Sequence, residues 1–428
     1  MTARLFLLTL SGLVPVMLLP SWPTALIVAG VIVLAALVDF FLVPRVHDLA
    51  LQRTPGPKVR LGDDTHSVLT LINGSPRVLR LEVRDAWTPS AGAVQTRSRH
   101  VLSAGERAQV RTELRPVRRG ALAADLVTVR SRSPLGLIAR QKSIEVPADI
   151  RVLPPFVSRR ELPSKTQKLR ELEGRSAVMI RGMGTEFDSL REYVDGDDVR
   201  SIDWRASARA SDLVVKTWRP EKDRRVVIVV DSSRLAARRC GEGTVFDAAL
   251  ESSLLLTALA TGAGDRVDVI VADARVRAVA SSRRAHDPVH DLSVTLTPVH
   301  PELYDADWEA ITAAVLATTR QQALVVVITA LDETTVAEDI LPVLPTLTAH
   351  HRVVLAGVED PALAELAGAR GDVEEIYTAA AAESELLTAA SLRTRLRGLG
   401  IASVQAPPDD LPGALADHYI RLKVTGRL

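Results

Sequence analysis

Arg224–Ser233 reads RRVVIVVDSS. Two cations open the stretch, Val226 to Val230 are all β-branched, and an acid closes it at Asp231. A strand with one wet face alternates apolar and polar residues. A strand apolar at every position is covered on both faces, as strands of parallel sheets are. The residues that follow supply the covering helices. Thr244–Gly264, TVFDAALESSLLLTALATGAG, carries Phe246, Leu250, Leu254 and Ala258 on one helical face, and Thr244 with Asp247 three residues on makes an N-terminal cap. RVDVIVAD, WEAITAAVLATTR, ALVVVITALD, VAEDILPVLPTLTAHH and RVVLAGVED continue the alternation. The pattern predicts a doubly wound α/β domain over 223–428. Ligands of such sheets sit at the carboxyl ends of strands, where Asp231, Asp273 and Asp332 fall.

Upstream, from 46 to 155, the period changes to two. In VLRLEVRD, Leu79, Leu81 and Val83 share one face, and Arg80, Glu82 and Arg84 the other. SVLTLIN, RAQVRTELR, ADLVTVRS and KSIEVPADIRVLP behave alike, with turns at NGSP, SAGE and RSPLG between them. Short strands at this spacing predict an antiparallel β-sandwich-like segment. It carries no catalytic pattern, and Trp87 is read as a packing residue.

The first 45 residues are different again. Leu5 to Pro20 is apolar, and Ala25 to Val43 is apolar apart from Asp39. Roughly 17–25 such residues cross a bilayer. Arg4 and Arg45 flank the two runs and SWPT joins them without charge, which predicts a transmembrane hairpin with both ends cytoplasmic. A cleaved signal peptide fits less well, since no A-x-A-like site precedes the second run. Asp39 is read as reaching the interface.

Composition narrows the function. The 428 residues hold 53 Lys and Arg against 52 Asp and Glu, a net charge of +1. That balance provides no global field for nucleic acid. The single cysteine, Cys240, allows neither an intramolecular disulfide nor a thiolate zinc site within one chain. His286 and His290 are four apart but have no third ligand nearby in sequence, and are read as a solvated turn. Gly182 and Gly184 precede no Gly-Lys-Ser/Thr, so a phosphate loop is rejected.

Between the β and α/β segments, 156–222 holds a linker, a short helix and the densest charge in the chain. GTEFDSLREYVDGDDVRSIDWRASARASDLVVKTW runs from Gly184 to Trp218. Its acids have basic neighbours, Glu186 with Arg191, Asp198 with Arg200 and Asp203 with Arg205, and DGDD has turn chemistry. Tyr193, Ile202 and Trp204 are read as apolar anchors. The stretch is therefore expected to be a polar network rather than an active site, although crowded carboxylates also raise one another's pKa in catalytic sites.

In Glu186, Phe187, Arg191, Tyr193, Gly196, Asp197, Asp198, Arg200, Asp203, Trp204, Ser207 and Arg209, this stretch resembles the signature of the domain-of-unknown-function 58 family. The hairpin, β-rich insert and α/β segment match that family's layout. The resemblance implies a membrane-tethered protein with a von Willebrand factor A-like domain, commonly encoded beside MoxR-type AAA+ ATPases. Such domains hold Mg²⁺ with an Asp-x-Ser-x-Ser loop, a later Thr and a later strand-end Asp. Asp231, Ser233 and Asp332 fit that pattern. Leu235 stands where the second Ser belongs, and Arg234 adds like charge, so the metal site is degraded. The function expected is a non-enzymatic adaptor of the inner membrane, its bulk cytoplasmic, binding a protein partner such as a MoxR-type ATPase, with lipid contacts through the hairpin. The alternatives are a Mg²⁺-dependent hydrolase using Asp197, Asp198 or Asp203, and an architectural envelope protein.

Overall fold

The computed structural model describes residues 3–54, 56–179, 186–195, 197–210, 212–219 and 224–426. The chain divides into two compact units, Met1–Leu153 and Pro154–Leu428.

The first unit opens with α1 (Ala3–Leu18) and α2 (Trp22–Leu42). Ser21 caps α2 by accepting from Thr24 N at 3.3 Å, and Pro23 fits the first turn, where its missing N–H costs nothing. By length and composition the stretch Trp22–Asp48 can cross a membrane, whereas α1 is shorter than such a span.

Ten strands follow: β1 (Leu49–Arg53), β2 (Lys58–Arg60), β3 (Thr65–Asn73), β4 (Leu79–Trp87), β5 (Ala93–Val94), β6 (Arg97–Leu102), β7 (Arg107–Leu114), β8 (Gly120–Arg132), β9 (Ala139–Glu145) and β10 (Asp149–Leu153). They form a sheet ordered β1-β3-β7-β5 and a second ordered β2-β10-β8-β4-β6, with β9 also on β8. All pairings are antiparallel except β10 with β2. The period-two residues Leu79, Leu81 and Val83 are buried against Leu69, Leu71 and Val110 of the other sheet, so the two sheets share one core.

That core also holds an ion pair. Arg53 and Asp85 have side chains 1% and 0% exposed and are joined by Nη2–Oδ1 at 2.5 Å and Nη1–Oδ2 at 3.0 Å. Thr112 Oγ1 (2.8 Å) and Trp87 Nε1 (3.2 Å) donate to Asp85 Oδ2, and Arg53 lies over the Trp87 ring. Trp87 thus packs, as its sequence suggests, and also satisfies a buried acid.

In the second unit, α3 (Leu162–Met179) follows a 3₁₀ turn at Val157–Glu161. It is longer than the short helix expected, because Leu169 is buried in the α/β core and Lys165 and Lys168 both bind Asp417, at 2.8 and 3.0 Å. Strands β11 (Glu186–Glu192) and β12 (Val214–Arg219) pair antiparallel, with α4 (Trp204–Ala210) between them in sequence.

The main sheet uses β13 (Arg225–Asp231), β16 (Arg266–Ala272), β17 (Val276–Ser281), β18 (Leu324–Thr329), β19 (Arg352–Val358) and β20 (Ala402–Ala406). The minor hairpin β14 (Arg239–Cys240) and β15 (Gly243–Thr244) lies apart from it. The sheet order is β17-β16-β13-β18-β19-β20, parallel except for β17 at the edge.

Residues of β13 alternate between two covered faces. Val226, Ile228 and Val230 pack with α5 (Val245–Gly262), α6 (Pro288–Leu296) and α12 (Leu411–Val424). Val227 and Val229 pack with α7 (Trp308–Thr318), α9 (Leu341–Thr348) and α11 (Val373–Gly398). Each such side chain contributes on the order of 1.5–3 kcal/mol by leaving water. The capping box at Thr244 and Asp247 is present, and α5, although apolar enough to span a bilayer, is 72% buried within the fold. The remaining helices are a single turn, α8 (Glu333–Thr335), and α10 (Pro361–Gly368), which packs on α11. Only Ala379, Ala382, Leu392 and Leu396 of the 26 residues of α11 are buried, so most of this helix stands in solvent rather than closing the layer.

Candidate functional site at the carboxyl edge of the sheet

The chain leaves β13 toward β16 and β17 on one side and later returns to β18 on the other. The gap between the carboxyl ends of β13 and β18 is therefore the topological switch point, where open α/β sheets bind ligands. Asp231 ends β13 and Thr329 ends β18. They are joined: Thr329 Oγ1 donates to Asp231 Oδ2 at 2.6 Å, while Ser233 N donates to Oδ1 at 2.7 Å. Asp231, Ser232, Ser233, Asp273 and Thr329 are all buried.

A second acid is held beside the first. Asp273 Oδ2 accepts from Ser232 Oγ (3.1 Å) and pairs with Arg277 Nη1 (3.2 Å). Arg277 also reaches Glu302 at 2.9 Å. Asp332 lies one loop away and caps α8, accepting from Thr334 N (3.2 Å) and Thr335 N (3.1 Å). Arg234 is engaged by Asp305 through its Nε.

The residues present give Mg²⁺ an incomplete set of ligands. A hard cation needs carboxylate and hydroxyl oxygens turned inward with room for water. Here both oxygens of Asp231 and both of Asp332 accept hydrogen bonds from the protein, and Leu235 brings no oxygen. Burial pushes the Asp231 carboxyl above the usual range, the Thr329 and Ser233 bonds pull it back, and the Asp273 charge raises it further. Among the described residues, no three His, Cys, Asp or Glu side chains converge as a metal cluster. His286 precedes α6 and His290 lies in its first turn, capped by Asp287 at 3.0 Å, so the two do not share a helical face. Cys240 is buried, and burial raises its thiol pKa, so it is not a ready nucleophile.

The raised Asp231 pKa has a stability consequence. The native state holds that proton more tightly than the unfolded chain, so stability falls as pH rises above the ordinary carboxylate range toward the native value. Asp231→Asn removes this dependence and keeps an acceptor for Ser233 N. The variant is expected to melt at or above the parent temperature at pH 8, its advantage shrinking toward pH 4. A variant about 2 kcal/mol less stable at pH 8 contradicts a structural Asp231 whose charged form burial disfavours.

The charged signature segment is a ribbon rather than a cleft. Arg191 grips Asp197 through Nη1–Oδ2 (2.7 Å) and Nη2–Oδ1 (2.5 Å), and Val194 N adds a bond to Oδ2 at 2.9 Å. The guanidinium and then that amide hold the Asp197 carboxyl below the usual range. Asp198 caps the 3₁₀ turn Val199–Ser201 by accepting from Arg200 N at 3.0 Å. Asp203 accepts from Ala206 N and Arg205 N, both at 3.0 Å, and pairs with Lys216 at 3.1 Å; these partners lower its pKa. Ser207 Oγ donates to Asp203 O (2.8 Å) and accepts from Val214 N (2.9 Å), tying α4 to β12.

The pairings thus differ from sequence proximity. Arg191 meets Asp197, and Arg205 offers Asp203 its backbone amide while Lys216 supplies the charge. Tyr193 and Ile202 are half-buried, but Trp204 is 69% exposed in the first turn of the two-turn α4, which is too short to cover it. Arg209 is exposed. Gly196, Gly182 and Gly184, and the side chains of Glu186 and Phe187, lie outside the described residues.

The ordered acids and arginines of this ribbon bear on kinship. Residues 189–398 match the family model "Protein of unknown function DUF58". The DUF58 match covers the ribbon from Ser189 and the main sheet through α11, just under half of the chain. Uncharacterized proteins of Mycobacterium tuberculosis and Mycobacterium bovis are 28% identical over 215 residues, which is 48% of this chain and 65% of theirs. The chain therefore spans just under two thirds of the length of these relatives. Among solved structures, WR4, an MSP family member from C. elegans, is similar at 8% identity and a TM-score of 0.18, covering 24% of this chain and 97% of WR4. A non-cellulosomal cohesin from Archaeoglobus fulgidus is similar at 9% identity and a TM-score of 0.17, covering 25% of this chain and 91% of the cohesin. Likeness at that level assigns no fold.

Sequence reasoning placed Asp231, Ser233, Asp273 and Asp332 at strand ends. It did not find Thr329 as the partner of Asp231, or the rim beside them. Glu302 N donates to Ser232 O and Arg234 N to Tyr304 O, both at 2.9 Å, so the loop before α7 is pinned to the Asp231 loop. On it, Leu303 and Tyr304 are 81% and 65% exposed. Large apolar side chains in a loop far from any period leave no sequence signal.

Proposed function

We propose that the chain is a membrane-anchored, non-enzymatic adaptor that recognises a protein partner at the carboxyl edge of its α/β sheet. One observation carries this reading. The acids at the switch point are occupied by hydrogen bonds from the protein itself, while the loop pinned beside them presents Leu303 and Tyr304 to solvent. Exposed apolar groups rimmed by charge suit a protein surface better than a small substrate. The doubly wound sheet with Asp231-Ser232-Ser233 at its switch point supports a von Willebrand A-like domain in which the metal site has become a hydrogen-bonded fastening. The apolar stretch Trp22–Asp48, with Arg45 near its end and Arg4 before the preceding apolar run, supports the tether, with the bulk of the chain cytoplasmic. The family resemblance names the partner class, a MoxR-type AAA+ ATPase. A hydrolase built on Asp197, Asp198 or Asp203 has less support, since each of these carboxylates answers its own donors.

The test uses the full chain in nanodiscs and a purified MoxR-type ATPase from the same genome, with a non-hydrolysed ATP analogue to trap the complex. Saturable binding is expected, weakened at least tenfold when Leu303 and Tyr304 are both changed to Asp. Absence of binding under trapping conditions overturns the partner, and binding indifferent to the double change overturns the edge.

A further inference from the structure

The opposite edge of the same sheet has the opposite charge. Strands β13, β16 and β19 each begin with arginine, at Arg225, Arg266 and Arg352. Between the first two lies a cleft of about 270 Å³ lined by Arg225, Arg266, Arg283, Asp268, Ser281 and Thr318. Three guanidiniums thus face one carboxylate. Arg225 gives Nη1 to Thr318 O at 3.3 Å, but its Nε is buried and has no hydrogen-bond partner among the described residues. A buried donor without an acceptor costs on the order of 1–3 kcal/mol.

We propose that this cleft binds a phosphate group. Guanidinium forks pair in a planar, two-toothed manner with phosphate oxygens, and a cleft lined by three of them suits a ligand with several acceptor oxygens and more than one negative charge. Ser281 adds a hydroxyl at the rim. The volume lies just under the roughly 300–1,000 Å³ typical of drug-sized ligands, which favours a compact phosphate or diphosphate head over a whole nucleotide. Two sources share this chemistry, a soluble phosphate ester and the head of an anionic phospholipid. The proposal is independent of the adaptor reading, because it concerns the other edge of the sheet.

The test titrates inorganic pyrophosphate, and separately a short-chain phosphatidic acid, into the full chain in phosphatidylcholine nanodiscs, followed by calorimetry. Saturable binding is expected, weakening as salt rises. Arg283→Glu, at an exposed position, lowers affinity at least tenfold, and Asp268→Asn raises it severalfold by removing the competing carboxylate. Opposite responses of the two variants are a signature that a merely structural role does not give. Binding of pyrophosphate alone assigns a soluble ligand, and tighter binding of phosphatidic acid assigns a lipid head. No saturable binding of either probe, or binding that neither variant changes, overturns the proposal.

Discussion

Asp85→Ala lowers the melting temperature of the intact chain by more than about 10 °C and leaves the β unit the first part to unfold. Arg53 and Asp85 are both enclosed, and among the described residues Arg53 has Ser67 Oγ (2.9 Å) and the Trp87 ring as further company. Removing one member of a buried ion pair strands the other charge, at a cost of about 3–5 kcal/mol. Thr112 and Trp87 lose their acceptor as well. Replacing both partners by apolar residues, Arg53→Met with Asp85→Leu, recovers most of the loss, because the unpaired charge and not the missing attraction dominates. A thermal melt of Asp85→Ala within about 2 °C of the parent contradicts a buried, paired Asp85.

The second large effect is expected at Asp39. This one acid of the apolar hairpin does not reach free solvent at the interface. It is fully buried by the loop between β8 and β9 of its own unit, where Ser133 Oγ donates to it, as do Leu135 N (3.2 Å), Leu137 N (2.8 Å) and Ile138 N (2.9 Å). Gly136 makes the loop's turn at φ +75°, a conformation L side chains avoid. Arg140 stacks on Phe40 with its guanidinium 4.7 Å from the ring centroid, and Arg4 donates to Leu135 O at 3.3 Å. The carboxylate therefore clasps the helices to the β unit. Asp39→Ala removes the carboxylate that Leu135 N, Leu137 N and Ile138 N share and costs about 3 kcal/mol or more. Hydrogen exchange at 135–138 in nanodiscs accelerates at least a hundredfold, and Asp39→Asn, which keeps one acceptor, falls between. Unchanged protection in Asp39→Ala contradicts the clasp.

Much of the fold can be read from local pattern. Val226–Val230 announces a strand covered on both faces, Leu79, Leu81 and Val83 announce one covered on a single face, and the Thr244–Asp247 cap lies where its spacing puts it. What escapes is pairing across distance. Arg53 and Asp85 are 32 residues apart, and Asp39 and Ser133 are 94 apart; each looks like an ordinary surface polar residue in its own window. Within the signature segment the sequence indicates that acids are neutralised, but not by whom, since the bridge of Ile202 to Val215 sets Asp203 beside β12, where Lys216 and not Arg205 supplies its charge. At the switch point, Asp231 is visible as a strand-end acid, whereas Thr329 becomes its partner only because β18 lies beside β13 in the sheet. The arginines at the amino edge are equally dispersed along the chain and meet only through strand order.

Acids that act at the carboxyl edge as internal fastenings offer Mg²⁺ no site. Titration of Mg²⁺ into the full chain by calorimetry, with Asp231→Asn alongside, tests it most directly. No saturable heat and no change in melting temperature are predicted for either protein. A saturable, one-to-one heat in the parent that vanishes in Asp231→Asn contradicts the account.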